Sequence, residues 1–206
     1  MDNAKIARAI HEISTLMRLN RDYLIELDQV NGDGDLGISM DDGFRALDEY
    51  YSGTVAKDLG QSLRGAAKVL NSAAPSSLGT ILSFGLMGMA KALRGKEAAT
   101  FEDTVAALEA GLENIEVKAG SSPGQKTIVD AFAPAVDTLK SGDFAQPEAA
   151  FEAAAKAAAD GSESTKHMVA VHGRAAFTAA RSLGVLDGGS VVGKLIFEGI
   201  ALSAKR

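Results

Sequence analysis

The chain has 206 residues, 46% hydrophobic and 23% charged, the balance of a folded soluble protein rather than a disordered or fibrous one. A net charge of -6, from 21 basic and 27 acidic residues, argues against nucleic-acid and anionic-membrane partners, and the absence of cysteine excludes disulfide frameworks, zinc knuckles and thiol nucleophiles. One domain of this length, taken as 1–206, buries roughly 70% of the surface its unfolded chain exposes, so a metal would serve function rather than stability. The N-terminus lacks a signal-peptide pattern and no apolar run approaches membrane length, which gives the cytoplasm as the expected location.

Ile6, Ile10, Ile13, Met17, Leu24 and Leu27 recur at helical spacing, predicting one long opening helix. Further helices are expected near 39–51, 55–71, 78–93, 102–118, 126–140, 147–160, 164–181 and 190–203. Thr100 and Asp103 have the spacing of a capping box, the alanine-rich 149–159 stretch favours helix, and Pro134 is expected to kink its helix. No segment alternates like a strand, so the fold class is all-α: one domain of short-linked antiparallel helices in a bundle or ring. Helices running up and down would gather the loops 28–39, 71–80, 119–127 and 184–190 at one end.

Asp28, Asp33 and Asp35 follow the first helix, interleaved with Gly32, Gly34 and Gly37. Carboxylates this close repel one another, and stay ionised only in open solvent or beside cations. The plain alternative is a solvated turn; a third acid favours hard-oxygen ligation of magnesium or calcium. Two formal motif matches fail on context. Gly32 through Gly37 spells G-x-G-x-x-G, but follows a helix and carries two aspartates that would repel a pyrophosphate. An EF-hand frame from Asn31 puts Leu36 where glycine is needed and Asp42 where a bidentate glutamate is needed. Residues 120–127 miss a Walker A loop by one glycine and lack its strand. There, Lys126 and Thr127 read either as an anion-binding helix start or, with more weight, as ordinary capping.

Residues 72–80 and Asp187, Gly188, Gly189 and Ser190 are further small-residue turns at helix starts, and Arg174 is a cation nearby in sequence. His167 and His172, five apart, do not stack as a metal pair. An acidic cluster, amide-rich turns and a cation, without a nucleophile and base, suit phosphoryl transfer, which depends on positioning and charge neutralisation. Three aspartates and ADP, each at about -3, leave a balance near -2 with two magnesium ions and repel strongly without them.

Over nearly its whole length the sequence resembles the family of the ADP-binding L subunit of dihydroxyacetone kinase. Leu27 through Gly37 is similar to L-D-x-x-x-G-D-G-D-x-G, Pro123 through Asp130 to P-G-D-K-T-M-x-D, and Gly173 through Phe177 to G-R-A-S-Y, followed by Arg181, Ser182, Leu183, Gly184 and Asp187 in order. The resemblance implies an antiparallel barrel of about eight helices with ADP or ATP and two magnesium ions in loops at one end. It makes Asp28, Asp33 and Asp35 the metal ligands and, with Arg174 at the mouth, the catalytic group. It puts Leu36, Gly37, Ile38 and Ser39, then Ala73, Ala74, Ser76, Ser77, Gly79 and Thr80, around the phosphates. Thr127 and Ile128 fall at the base, with Asp187, Gly188 and Gly189 closing the nucleotide site. It also implies a separate K subunit that holds the keto sugar covalently, which accounts for the missing nucleophile.

Leu36 stands where the family often has His, Ala74 where it often has Ser, Gln125 where it has Asp, and Gly188 where it often has Pro. The sugar, three-carbon or four-carbon, and the donor therefore stay open: one family branch exchanges ATP, the other keeps ADP bound and rephosphorylates it through an M subunit of the phosphotransferase system. The competing class is a helical, non-catalytic protein that binds metal to fix a partner surface, or binds ADP for regulation without turnover.

Overall fold

A computed structural model describes residues 1–53, 56–142, 146–178 and 182–205. The described residues contain α1 (Asn3–Leu19), α2 (Arg21–Gln29), α3 (Leu36–Ser52), α4 (Leu59–Ala73), α5 (Ser77–Ala92), α6 (Phe101–Ala119), α7 (Val129–Ser141), α8 (Pro147–Ser164) and α9 (Gly188–Ala204), with 3-10 turns at Thr165–His167 and Arg174–Thr178 and no strand. Several helices begin where the sequence supplies caps. Asp58, Ser76 and Asp187 accept amide bonds at the starts of α4, α5 and α9, and Thr100 with Asp103 forms the expected capping box on α6.

The opening helix is broken at Asn20, whose side-chain amide donates to the Leu16 carbonyl at 2.8 Å. The apolar face continues across the break, with Ile6, Ile10, Ile13, Met17 and Leu24 all buried. Pro134 lies inside α7 and cannot donate to the Asp130 carbonyl. Gly161 of α8 packs there: a β-carbon on it would lie 2.1 Å from that oxygen and 2.8 Å from Pro134 Cγ.

Among the described residues, 165–178 do not form the α-helix expected over 164–181. Thr165 Oγ1 turns back to the Ser162 carbonyl at 2.6 Å, and the Thr165 carbonyl, which would continue an α-helix, takes the amide of Met168 and the ammonium of Lys126 instead. The chain then crosses Gly173 at φ +63 into the second 3-10 turn. Arg181 lies outside the described residues.

The packing order of α1, α3, α4, α5, α6, α7, α8 and α9 closes on itself, since α9 packs against α1, while α2 lies on α3. Gly85 meets Ile115 and Gly88 meets Ala110, so α5 and α6 run antiparallel at backbone distance. A single apolar cluster draws on every one of these helices, and a hollow of about 520 Å³, open past Lys5, Arg8 and Glu148, runs into it between side chains such as Ile13, Leu63, Leu86, Leu112 and Phe151. No helix among the described residues is long and apolar enough to cross a membrane.

Candidate functional site

Asp28 sits in the last turn of α2, and its backbone carbonyl receives the amides of Asn31 and Gly32 as the chain reverses. Its carboxylate folds over the turn and accepts the Gly34 amide at 2.8 Å. Only glycine fits at position 32, where a β-carbon would lie 2.2 Å from Asp28 Oδ1, and Gly34 takes φ +79. This reversal brings one oxygen each of Asp28, Asp33 and Asp35 within 4.8 Å of one another. Burial, then repulsion from Asp33 and Asp28, raises the Asp35 carboxyl above its ordinary range against the pull of Arg174. Arg174, expected at the mouth of the site, reaches Asp33 Oδ2 at 2.6 Å. Three hard oxygen donors at this spacing, with two aspartates exposed, fit a divalent cation such as magnesium.

Around this cluster three helix starts converge. Asp35 precedes α3 without capping it by its side chain. Ser39, in the first turn of α3, donates to Ser76 Oγ at 2.7 Å, and Ser76 caps α5 by accepting the Gly79 amide at 3.2 Å. Gly79 lies against the end of α4, where its β-carbon would fall 2.1 Å from the Ala74 carbonyl. Gly188, opening α9, touches α3, for a β-carbon there would lie 2.5 Å from Leu36 Cδ2. Helix starts carry partial positive charge and unpaired amides, an arrangement suited to phosphate.

Gly189 extends the chain of contacts to Ile128, whose backbone nitrogen would lie 3.3 Å from a β-carbon at 189. Thus Leu36 and Ser39, Ala74, Ser76 and Gly79, Ile128, and Gly188 and Gly189 are linked at one end of the molecule. Ile38 and Ser77 are exposed, and Ala73 ends α4 beside Ala74. Thr80 donates to Asn71 at 3.3 Å, and Thr127 is tied to Ser121 at 2.9 Å. Gln125 bonds to His172 at 2.6 Å, joining the 121–127 loop to the segment that carries Arg174.

Lys126 corrects the anion-binding alternative. It is 5% exposed, and its ammonium donates to the carbonyls of Thr165 and Val185. Burial lowers its pKa while Asp187 and Asp130 oppose the shift. Asp130, which motif reading left without a role, accepts the amides of Gly124 and Thr127. Asp187 caps α9 through the Ser190 amide at 2.6 Å, and burial pushes its carboxyl up to about 7 against the pull of Ser190 and Lys126.

Comparison with known proteins gives the family. The family model described as the DAK2 domain matches residues 30–202, which include every candidate residue except Asp28. The chain is 31% identical over 195 residues, 92% of its own length and 89% of the relative's, to a Listeria innocua protein named PEP-dependent dihydroxyacetone kinase 2, ADP-binding subunit DhaL. It is 30% identical over 174 residues to the L-erythrulose 1-kinase of Mycolicibacterium smegmatis, covering 84% of this chain and 30% of that longer one. The crystal structure of the dihydroxyacetone kinase of C. freundii in its native form superposes with a TM-score of 0.76 at 25% identity, over 98% of this chain and 35% of that one. An all-α fold, an acidic loop ringed by helix starts, and a family match over most of the sequence lead to one conclusion: this chain belongs to the DAK2-domain family.

Proposed function

We propose that the chain is the nucleotide-carrying, phosphoryl-transferring subunit of a kinase for dihydroxyacetone or a similar small keto sugar, working in the cytoplasm. The observation that carries this reading is the approach of three carboxylates within 4.8 Å beside the starts of α3, α5 and α9. Asp28, Asp33 and Asp35 would hold two magnesium ions, which when bound neutralise phosphate charge and polarise the transferring group. Leu36, Gly37 and Ile38 would present the first amides of α3 to the phosphates of ADP or ATP with the Ser39 hydroxyl beside them, and Ala73, Ala74, Ser76, Ser77, Gly79 and Thr80 would close over them from α5. Thr127 and Ile128 would border the base, with Asp187, Gly188 and Gly189 opposite. Arg174, 67% exposed in its side chain, stands at the rim to take charge from the group in transit.

The acceptor sugar would be bound on a separate K-type subunit, in keeping with the relative named as an ADP-binding subunit. Two donors suit the same site: ATP that exchanges, or ADP rephosphorylated in place by an M-type phosphotransferase subunit. The similarity to an L-erythrulose kinase keeps a four-carbon acceptor beside the three-carbon one.

Calorimetric titration of the nucleotide-stripped chain with ADP and ATP, each with and without magnesium, tests the reading. Magnesium-dependent binding is expected. Metal binding without nucleotide binding would point instead to a non-catalytic metal-binding interaction protein, and nucleotide binding that yields no transfer with any K-type subunit would point to a regulatory one.

A further inference from the structure

Among the described residues, Lys126 is the sole non-glycine residue with positive φ, at +61. That backbone conformation crowds a β-carbon and favours glycine, which the same turn uses at Gly124 with φ +88. Lys126 nevertheless holds a long charged side chain there, almost wholly out of water. A residue kept against its backbone preference and against the cost of burying a cation is present for what its ammonium reaches.

The ammonium reaches two other segments of chain. It donates to the carbonyl of Thr165, at the corner after α8, and at 2.6 Å to that of Val185, just before the turn that opens α9. The same corner holds that turn a second time, since the Asp187 amide donates to Thr165 Oγ1 at 3.0 Å. On its own side the lysine is fixed by Asp130, which accepts the amides of Gly124 and Thr127. Two residues past Lys126 stands Ile128, and three past Val185 stands Gly188, so the buried cation lies behind both walls assigned above to the nucleoside end.

We propose that Lys126 is a positioning residue of the nucleotide site: by tying the 123–128 turn to the backbone of Thr165 and Val185, it fixes Ile128 relative to Gly188 and Gly189. This inference rests on the nucleotide reading above. It assigns Lys126 no contact with phosphate, and it separates the two ends of the site, because the acidic loop is held by α2 and α3 through bonds that do not involve Lys126.

The test compares Lys126→Met with the unmodified chain by titration with ADP and with pyrophosphate, both in magnesium, at a temperature where both proteins are folded. ADP affinity is expected to fall at least tenfold while pyrophosphate binding stays within twofold. A core variant away from the site, Leu112→Ala, is expected to lower the melting temperature and leave ADP affinity within twofold, which a merely structural role for Lys126 would not distinguish. ADP affinity in Lys126→Met equal to that of Leu112→Ala overturns the proposal, as does an equal loss for ADP and pyrophosphate. Should Lys126→Met fail to fold, Lys126→Gln, which keeps a neutral donor too short to reach the carbonyls of both Thr165 and Val185, is expected to weaken ADP about threefold, and unchanged affinity overturns the proposal. Failure of the unmodified chain to bind ADP overturns the nucleotide reading itself, whereas an unchanged variant overturns only the positioning role.

Discussion

Asp33 carries two relationships that act on one carboxylate: proximity to Asp28 and Asp35, and an ion pair with Arg174. Asp33→Asn removes the charge at constant shape, and its expected effect is a loss of magnesium-dependent ADP affinity of at least tenfold, about 1.4 kcal/mol, by calorimetry. Unchanged affinity would count against the cluster as the phosphate clamp. The aspartates were legible in the sequence because a tight loop makes sequence neighbours into spatial neighbours. Lys126 was not, since its partners Thr165 and Val185 lie 39 and 59 residues away and present backbone oxygens that no motif encodes. Two departures from the family pattern, Leu36 and Gly188, prove to be in contact, so the missing ring at 188 leaves the space that the leucine methyl occupies. Asp187 gives a pH signature. Its folded carboxyl titrates at about 7 against an ordinary 3.8, so the folded chain binds the extra proton, and this contribution to stability is present below pH 4 and lost as pH rises through 7. Asp187→Asn keeps an acceptor for the Ser190 amide. Urea midpoints at pH 4 and 7.5 are expected to show the unmodified chain losing on the order of 1–3 kcal/mol relative to this variant across that range.

Helices were read well wherever an apolar face and a cap coincided, as at Thr100, where local chemistry alone fixes the start of α6. They were misread where a distant partner intervenes. Over 165–178 the composition permits a helix, but the Thr165 carbonyl is engaged by Lys126, and Ser182 Oγ takes the Ala170 amide at 3.0 Å, which holds that stretch out of an α-helix. The break at Asn20 has a similar logic, for it sets α2 where Gly37 can meet the Arg21 carbonyl, a β-carbon there falling 2.1 Å from that oxygen. Ser76 tests an element through its cap. Ser76→Ala forfeits both the bond from the Gly79 amide and the one from Ser39, and is expected to cost about 1–2 kcal/mol of stability in denaturant titration, with weaker nucleotide binding as α3 and α5 lose their tie.

At the scale of the whole molecule, the all-α class follows from periodicity, while the closed neighbour order depends on glycines, such as Gly85, Gly88 and Gly199, that let helices approach to backbone contact. The same closure leaves a hollow of about 520 Å³ that runs into the apolar cluster from a mouth at Lys5, Arg8 and Glu148. Its inner walls, Ile13, Leu86, Leu112 and Phe151, offer water few partners, and the part that stays dry is volume that the folded chain carries and the unfolded chain gives up. Hydrostatic pressure favours whichever state is smaller. Fluorescence or NMR under pressure is expected to show a negative volume change of unfolding, and Leu86→Phe, by occupying part of the hollow, is expected to raise the midpoint pressure. A ring of helices that pack backbone to backbone would thus be soft to compression at its centre.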